Sequence, residues 1–166
     1  PEDGVKNSKL GADTDFDEGY RGMPSVNMPL ISKAGFGIVR EAFSWRNSDK
    51  DKTGAKLTER HNDFVERAQE NNINISALVS GGNTAYTNES PPESDDAIAA
   101  YANYCGQLAA LLKGKAEYTE VWNEYMLKGF NIDNLPPEDY ARLLIASYRA
   151  IKKADPDMKV SAFSLP

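Results

Sequence analysis

The chain has 166 residues and a formal net charge of -6, a length for about one compact domain and the wrong sign for a surface that grips nucleic-acid phosphates. Its apolar runs fall well short of the roughly 20 residues a membrane-spanning helix needs, so neither nucleic acid nor membrane is an expected partner. A single cysteine, Cys105, excludes an internal disulfide and a cysteine-based metal cage. The chain opens on Pro1, which leads us to expect a processed or trimmed product.

Short apolar or β-branched runs at 10–14, 37–41, 74–79, 118–122 and 159–163 predict buried parallel strands. After the first, the turn reads Asp13-Thr14-Asp15-Phe16-Asp17-Glu18, acidic and without glycine. A helix follows over 24–33, unless Pro29 breaks it and a shorter helix runs from there to Ala34 and ends at Gly35. Beyond the second strand a helix beginning near Thr58 puts Leu57, His61, Phe64, Val65 and Ala68 on one inner face. His61, the only histidine, is therefore read as a packed core residue, not a ligand or base. The helix at 94–112 carries Ile98, Tyr101, Cys105, Leu108 and Leu112 on one stripe, which makes Cys105 a core thiol. Ser94 is its expected N-cap, with Asp95 and Asp96 complementing the helix dipole. The last helix, 137–154, starts at Pro136-Pro137 and stops at Asp155-Pro156.

Strands alternating with helices imply a parallel sheet covered by helices. A doubly wound nucleotide-binding sheet wants a glycine-rich turn after its first strand, and the acidic turn at 13–18 does not supply one. A (β/α)8 barrel gathers its functional groups at the C-terminal strand ends. Asp13, Asp15, Arg40, Glu41, Asn83, Asn123 and Glu124 all fall there. The expected class is α/β, of the (β/α)8 TIM-barrel type, with this chain supplying about five strands and four helices. Because a whole barrel takes about 250 residues, residues 1–166 are read as the N-terminal portion of a single barrel domain.

The most informative run is Val121-Trp122-Asn123-Glu124-Tyr125. Here a buried strand breaks off into an amide and a carboxylate, poor packing material but good chemistry. A carboxylate at such a place is open to being held protonated by its surroundings, and an amide beside it is suited to grip a sugar hydroxyl. Three blocks together carry a family resemblance: Gly35-Phe36-Gly37-Ile38-Val39-Arg40-Glu41 with Trp45; Glu120-Val121-Trp122-Asn123-Glu124; and Tyr140-Ala141-Arg142-Leu143-Leu144 with Ala150-Ile151-Lys152-Lys153-Ala154-Asp155-Pro156. In order and spacing they resemble the retaining glycoside hydrolases of the large TIM-barrel clan, and are most similar to the family 39 and family 5 type.

The resemblance implies a retaining β-glycosidase with Glu124 as general acid/base and Asn123 bonding the sugar 2-hydroxyl. Arg40 is implied to orient the nucleophile and, with Asn123, Trp45 and Tyr125, to line the substrate site, Trp45 as a stacking platform; Trp122 and Tyr125 are placed to exclude water. Tyr86 and Phe130 are further candidates for subsites. Tyr125 stands where many members have proline, which loosens the subfamily. The chemistry needs no cofactor and no metal. It does need a second carboxylate, which in those families lies on the seventh strand, beyond this chain. Glu41 and Asp15 are poor substitutes, and Glu120 fits a buried hydrogen-bonding role. The chain alone is therefore expected to be inactive. An open five-stranded piece exposes two edges, so a complementing barrel segment or self-association is expected, with a β-linked oligo- or polysaccharide as ligand and a secreted or periplasmic location. The competing reading is a non-catalytic carbohydrate-binding or assembly half-barrel.

Overall fold

Strands β1 (Asn7–Asp13), β2 (Phe36–Ala42), β3 (Asn74–Val79), β4 (Tyr118–Val121) and β5 (Lys159–Ser161) form one sheet in the computed structural model, which describes residues 7–16, 22–48 and 53–164. Every pairing is parallel and the order β1-β2-β3-β4-β5 follows the chain. A doubly wound sheet reverses its order partway across. A sheet that always grows in one direction through right-handed crossovers keeps its helices on one face, as a barrel does. Asp17 and Glu18 of the acidic turn lie outside the described residues.

The connecting helices are α1 (Pro24–Lys33), a short α2 (Trp45–Ser48), α3 (Glu59–Glu70), α4 (Asp95–Leu111) and α5 (Pro137–Ala154). Helix α1 takes the longer of its two expected spans with Pro29 inside it. Ser25 and Pro29 are both exposed, so the carbonyl that loses its helical donor has water as a substitute, while Met28 on the other side is buried. Helix α3 opens on a reciprocal capping box. The Thr58 hydroxyl accepts from the His61 N–H at 3.1 Å and His61 Nδ1 accepts from the Thr58 N–H at 3.4 Å, with histidine in the place usually held by Glu or Gln. The His61 ring stacks on Phe43 with centroids 4.5 Å apart and is packed into the core, as its helical position predicts.

Burial alternates along β2, with Val39 and Glu41 turned to the helix layer and Ile38, Arg40 and Ala42 to the other face. Ile75, Ala77, Val79 and Val121 continue the buried helix-facing side. Helix α4 begins at its predicted cap, Ser94 accepting from the Ala97 N–H at 3.2 Å. Two strands are shorter than their apolar runs suggest. β4 stops at Val121 because Trp122 takes a left-handed φ of 68°, and β5 stops at Ser161. Among the described residues no helix is long and apolar enough to cross a membrane.

Cys105 is fully buried, and burial pushes its thiol up to about 12. Only the thiolate reacts with disulfide reagents. Cys105 is therefore expected to stay silent toward Ellman's reagent at pH 8 and to react fully in denaturant, a difference read directly by absorbance.

Candidate active site

Register places Arg40 of β2 opposite Asp13 of β1, and Glu120 of β4 opposite both Leu78 of β3 and Ser161 of β5. Arg40 reaches across β3 to Glu120. Its Nε donates to Glu120 Oε2 at 2.7 Å and its Nη2 to Glu120 Oε1 at 3.0 Å, a two-point fork with geometric specificity. This hydrogen bonding, opposed by desolvation, raises the Arg40 pKa further above its already high value. Glu120 is only 5% exposed, and its oxygens are satisfied by that partner and by the Ser164 N–H, which donates at 3.0 Å.

The same guanidinium orients the neighbouring amide. Asn123 Oδ1 accepts from Arg40 Nη2 at 2.7 Å and from the Ser164 hydroxyl at 3.1 Å. With the oxygen so engaged, the amide nitrogen must face the other way. There Nδ2 donates to Glu124 Oε2 at 3.2 Å. Arg40 also bonds Asp13 through Nη1 at 3.2 Å and Ser164 through Nη2 at 3.2 Å. One arginine thus ties together side chains from three strands and from the segment after β5.

The backbone that presents Asn123 and Glu124 is strained. Trp122 and Glu124 have φ of 68° and 39°, values that L-residues seldom adopt. The turn is held from beneath by its aromatics, with Trp122 Nε1 donating to the Phe130 carbonyl at 2.8 Å and the Tyr125 hydroxyl to the Pro136 carbonyl at 3.2 Å. A groove of about 670 Å³ opens at the strand ends, lined among others by Asp13, Asp15, Arg40, Leu78, Asn123 and Phe130. Glu124 is half-buried, and is joined to this lining through Asn123.

Arg40, Asn123 and Glu124 are therefore brought together, while two other expected site residues are not available to a sugar. Trp45 has no exposed surface. It stacks on Tyr86 at 5.3 Å and meets Tyr101 edge-on at 5.2 Å, so it belongs to the core under the β2 exit and offers no platform. Tyr125 is 1% exposed, packed at 4.8 Å from Tyr140 and 6.1 Å from Phe163. It seals the underside of the turn and has no free face for substrate. Of the two aromatics on the groove wall, Phe16 is buried and Phe130, 38% exposed, faces open space. Glu41 is also removed from the chemistry. It points into the helix layer, where it accepts from the Thr14 hydroxyl at 2.6 Å and the Phe16 N–H at 3.0 Å. Glu120 has the buried bonding role expected of it. Ser164 was not anticipated, since a lone serine after a three-residue strand carries no sequence signal. Among the described residues no cluster of His, Cys, Asp or Glu is suited to a metal ion.

Sheet order and the position of the site at the strand ends define a part of a (β/α)8 barrel. Solved structures with this fold include glycoside hydrolases of families 39 and 5. A family 39 glycoside hydrolase from the gut symbiont Bacteroides cellulosilyticus WH2 matches 92% of this chain with a TM-score of 0.77 at 23% identity, over 31% of its own length. GH5_18 from Streptomyces cattleya, in complex with GlcNAc, matches 96% at a TM-score of 0.72 and 15% identity, over 45% of its length. A monomeric beta-xylosidase from Caulobacter crescentus CB15 matches 95% at 0.68 and 16% identity, over 36% of its length. No family model and no curated protein sequence matches the chain. At these identities the likeness shows the fold, and the chain spans between 31% and 53% of the first structures it matches.

Proposed function

We propose that this chain carries the acid/base side of the active site of a retaining glycoside hydrolase acting on β-linked glycans. The observation that supports this reading best is the lock on Asn123. Arg40 and Ser164 take its amide oxygen, which leaves Nδ2 directed away from the network beside Glu124. In the proposed reaction Glu124 protonates the glycosidic oxygen as the leaving group departs, then takes a proton from the water that releases the sugar. Asn123 Nδ2 donates to the sugar 2-hydroxyl, a bond that strengthens as the oxocarbenium-like transition state forms. Arg40 holds Asn123 and pairs with the buried Glu120, adding fixed positive charge at the groove floor.

The nucleophile is assigned to sequence beyond these residues. Glu41 is turned to the helices, while Glu120 and Asp13 are both bound by Arg40. A partner carboxylate belongs about 5–5.5 Å from Glu124. Within the described sheet β1 and β5 each pair on one side only. In this proposal they are continued by further barrel strands, and the protein works on extracellular or periplasmic glycans. Proton NMR of the first-formed sugar from a panel of aryl β-glycosides is the test. Retention of the β-anomer in the barrel-complete protein is expected, whereas initial α-anomer would contradict it. Saturable sugar binding without turnover would point to a carbohydrate-binding half-barrel instead.

A further inference from the structure

The peptide unit that joins Val121 to Trp122 is held at both of its poles. Its carbonyl accepts from the Tyr140 hydroxyl at 2.9 Å. Its N–H is shared between the Val79 carbonyl at 2.9 Å and the Tyr101 hydroxyl at 3.2 Å. Each hydroxyl is fixed in turn by a second bond. Tyr101 donates to the Val79 carbonyl at 2.7 Å, and Tyr140 accepts from the Phe163 N–H at 2.8 Å. Both rings are buried, at 0% and 7% exposure, and neither lines the groove.

The arrangement belongs to a pattern. His61 of α3 lies 3.2 Å from the Ala42 carbonyl, Tyr101 of α4 donates to Val79, and Tyr140 of α5 donates to Val121. In each case a helix reaches back to the last residue of the strand before it. At the exit of β4 two such helices converge on a single peptide. That peptide directly precedes the left-handed Trp122, a conformation costing roughly 1–2 kcal/mol for a residue with a β-carbon. Its plane sets the direction in which the chain leaves the strand, and with it the aim of Asn123 and Glu124.

We infer that Tyr101 and Tyr140 are positioning residues that hold the Val121–Trp122 peptide in the plane that aims Asn123 and Glu124. The kinetic consequence rests on the glycosidase reading above; the structural one does not. Tyr101→Phe and Tyr140→Phe each remove one oxygen and keep the ring. In the full-length protein each is expected to lower kcat/KM by about 10–100-fold for alkyl or disaccharide β-glycosides, since small displacements of an aligned group have effects of that order. For 2,4-dinitrophenyl glycosides, whose leaving group needs no proton, the loss is expected to be smaller, confined to what a displaced Asn123 no longer gives the sugar 2-hydroxyl. Equal losses on both substrates, or none, would overturn the inference, because a merely structural role has no leaving-group dependence. Crystal structures of the two variants give a readout independent of activity: Trp122 is expected to leave the left-handed region or Asn123 to swing from Arg40. A turn unchanged in both variants would sink the clamp. A wild-type protein that turns over none of these glycosides would instead sink the glycosidase reading, with the crystallographic comparison still deciding the clamp.

Discussion

Exchanging Glu124 for glutamine in the barrel-complete protein is expected to lower kcat/KM by about 10²–10⁴ for substrates with poor leaving groups, the range that general acid/base catalysis supplies. The amide is isosteric, so Asn123 Nδ2 keeps an oxygen to bond and the groove keeps its shape. What disappears is the transferable proton. For a 2,4-dinitrophenyl glycoside the first step needs little help, and kcat/KM should survive much better than kcat. The second step then lacks its base, so a glycosyl-enzyme accumulates and a burst of dinitrophenolate precedes a slow steady state. Leaving-group dependence separates this account from one in which Glu124 merely opens a surface loop. A loop residue would change neither the slope nor the burst.

Arg40→Met is expected to act first on stability. It leaves Glu120, 5% exposed, with the Ser164 N–H but no countercharge. Breaking a buried ion pair from one side typically costs about 3–5 kcal/mol, a large fraction of the stability of an ordinary domain. It also removes the shorter of the two bonds that fix the Asn123 oxygen and leaves only the Ser164 hydroxyl, so any folded fraction should bind sugar poorly. Adding Glu120→Gln removes the stranded charge and should restore part of the stability without restoring sugar binding. Urea melts of the two variants and the parent check this directly. An Arg40→Met protein as stable as the parent would show that Glu120 is not held by this pair. Arg40→Lys is expected to fall between the two, because an ammonium cannot reproduce the fork that meets both Glu120 oxygens and Asn123 together.

Much of the framework was legible in the sequence because local rules agree with one another there. Ser94, Thr58 and Pro137 mark helix starts by their own chemistry. The apolar stripes of α3 and α4 name the residues that pack, His61 and Cys105 included. Glycine-poor acidity after β1 ruled out the doubly wound alternative before any sheet order was known. The floor of the site is less legible. That Arg40 bonds Glu120, eighty positions away, follows from β3 lying between β2 and β4 in register, which no local pattern encodes. Ser164 enters through a segment after a three-residue strand. Trp45 and Tyr125 misled because an aromatic beside a polar motif reads the same whether it faces the groove or the core. The stacking of Trp45 on Tyr86 and of Tyr125 on Tyr140 decides between these, and both pairings depend on helices and loops closing from elsewhere in the chain.

Backbone strain at the site was equally hidden. Nothing in Trp122-Asn123-Glu124 resembles a turn signal, since glycine is the usual residue where φ is positive. The left-handed conformation is imposed from outside by Tyr101, Tyr140 and the Trp122 indole bond to Phe130.

The most direct measurement is azide rescue of Glu124→Ala in the barrel-complete protein, using a 2,4-dinitrophenyl β-glycoside. With the acid/base gone, water is not activated to release the covalent sugar, but azide needs no base and fits the vacated space. Restored turnover with a β-glycosyl azide as product is the predicted result. An α-glycosyl azide would make Glu124 the nucleophile, and a variant that azide leaves unchanged, or one already as active as the parent, would contradict its role as the acid/base.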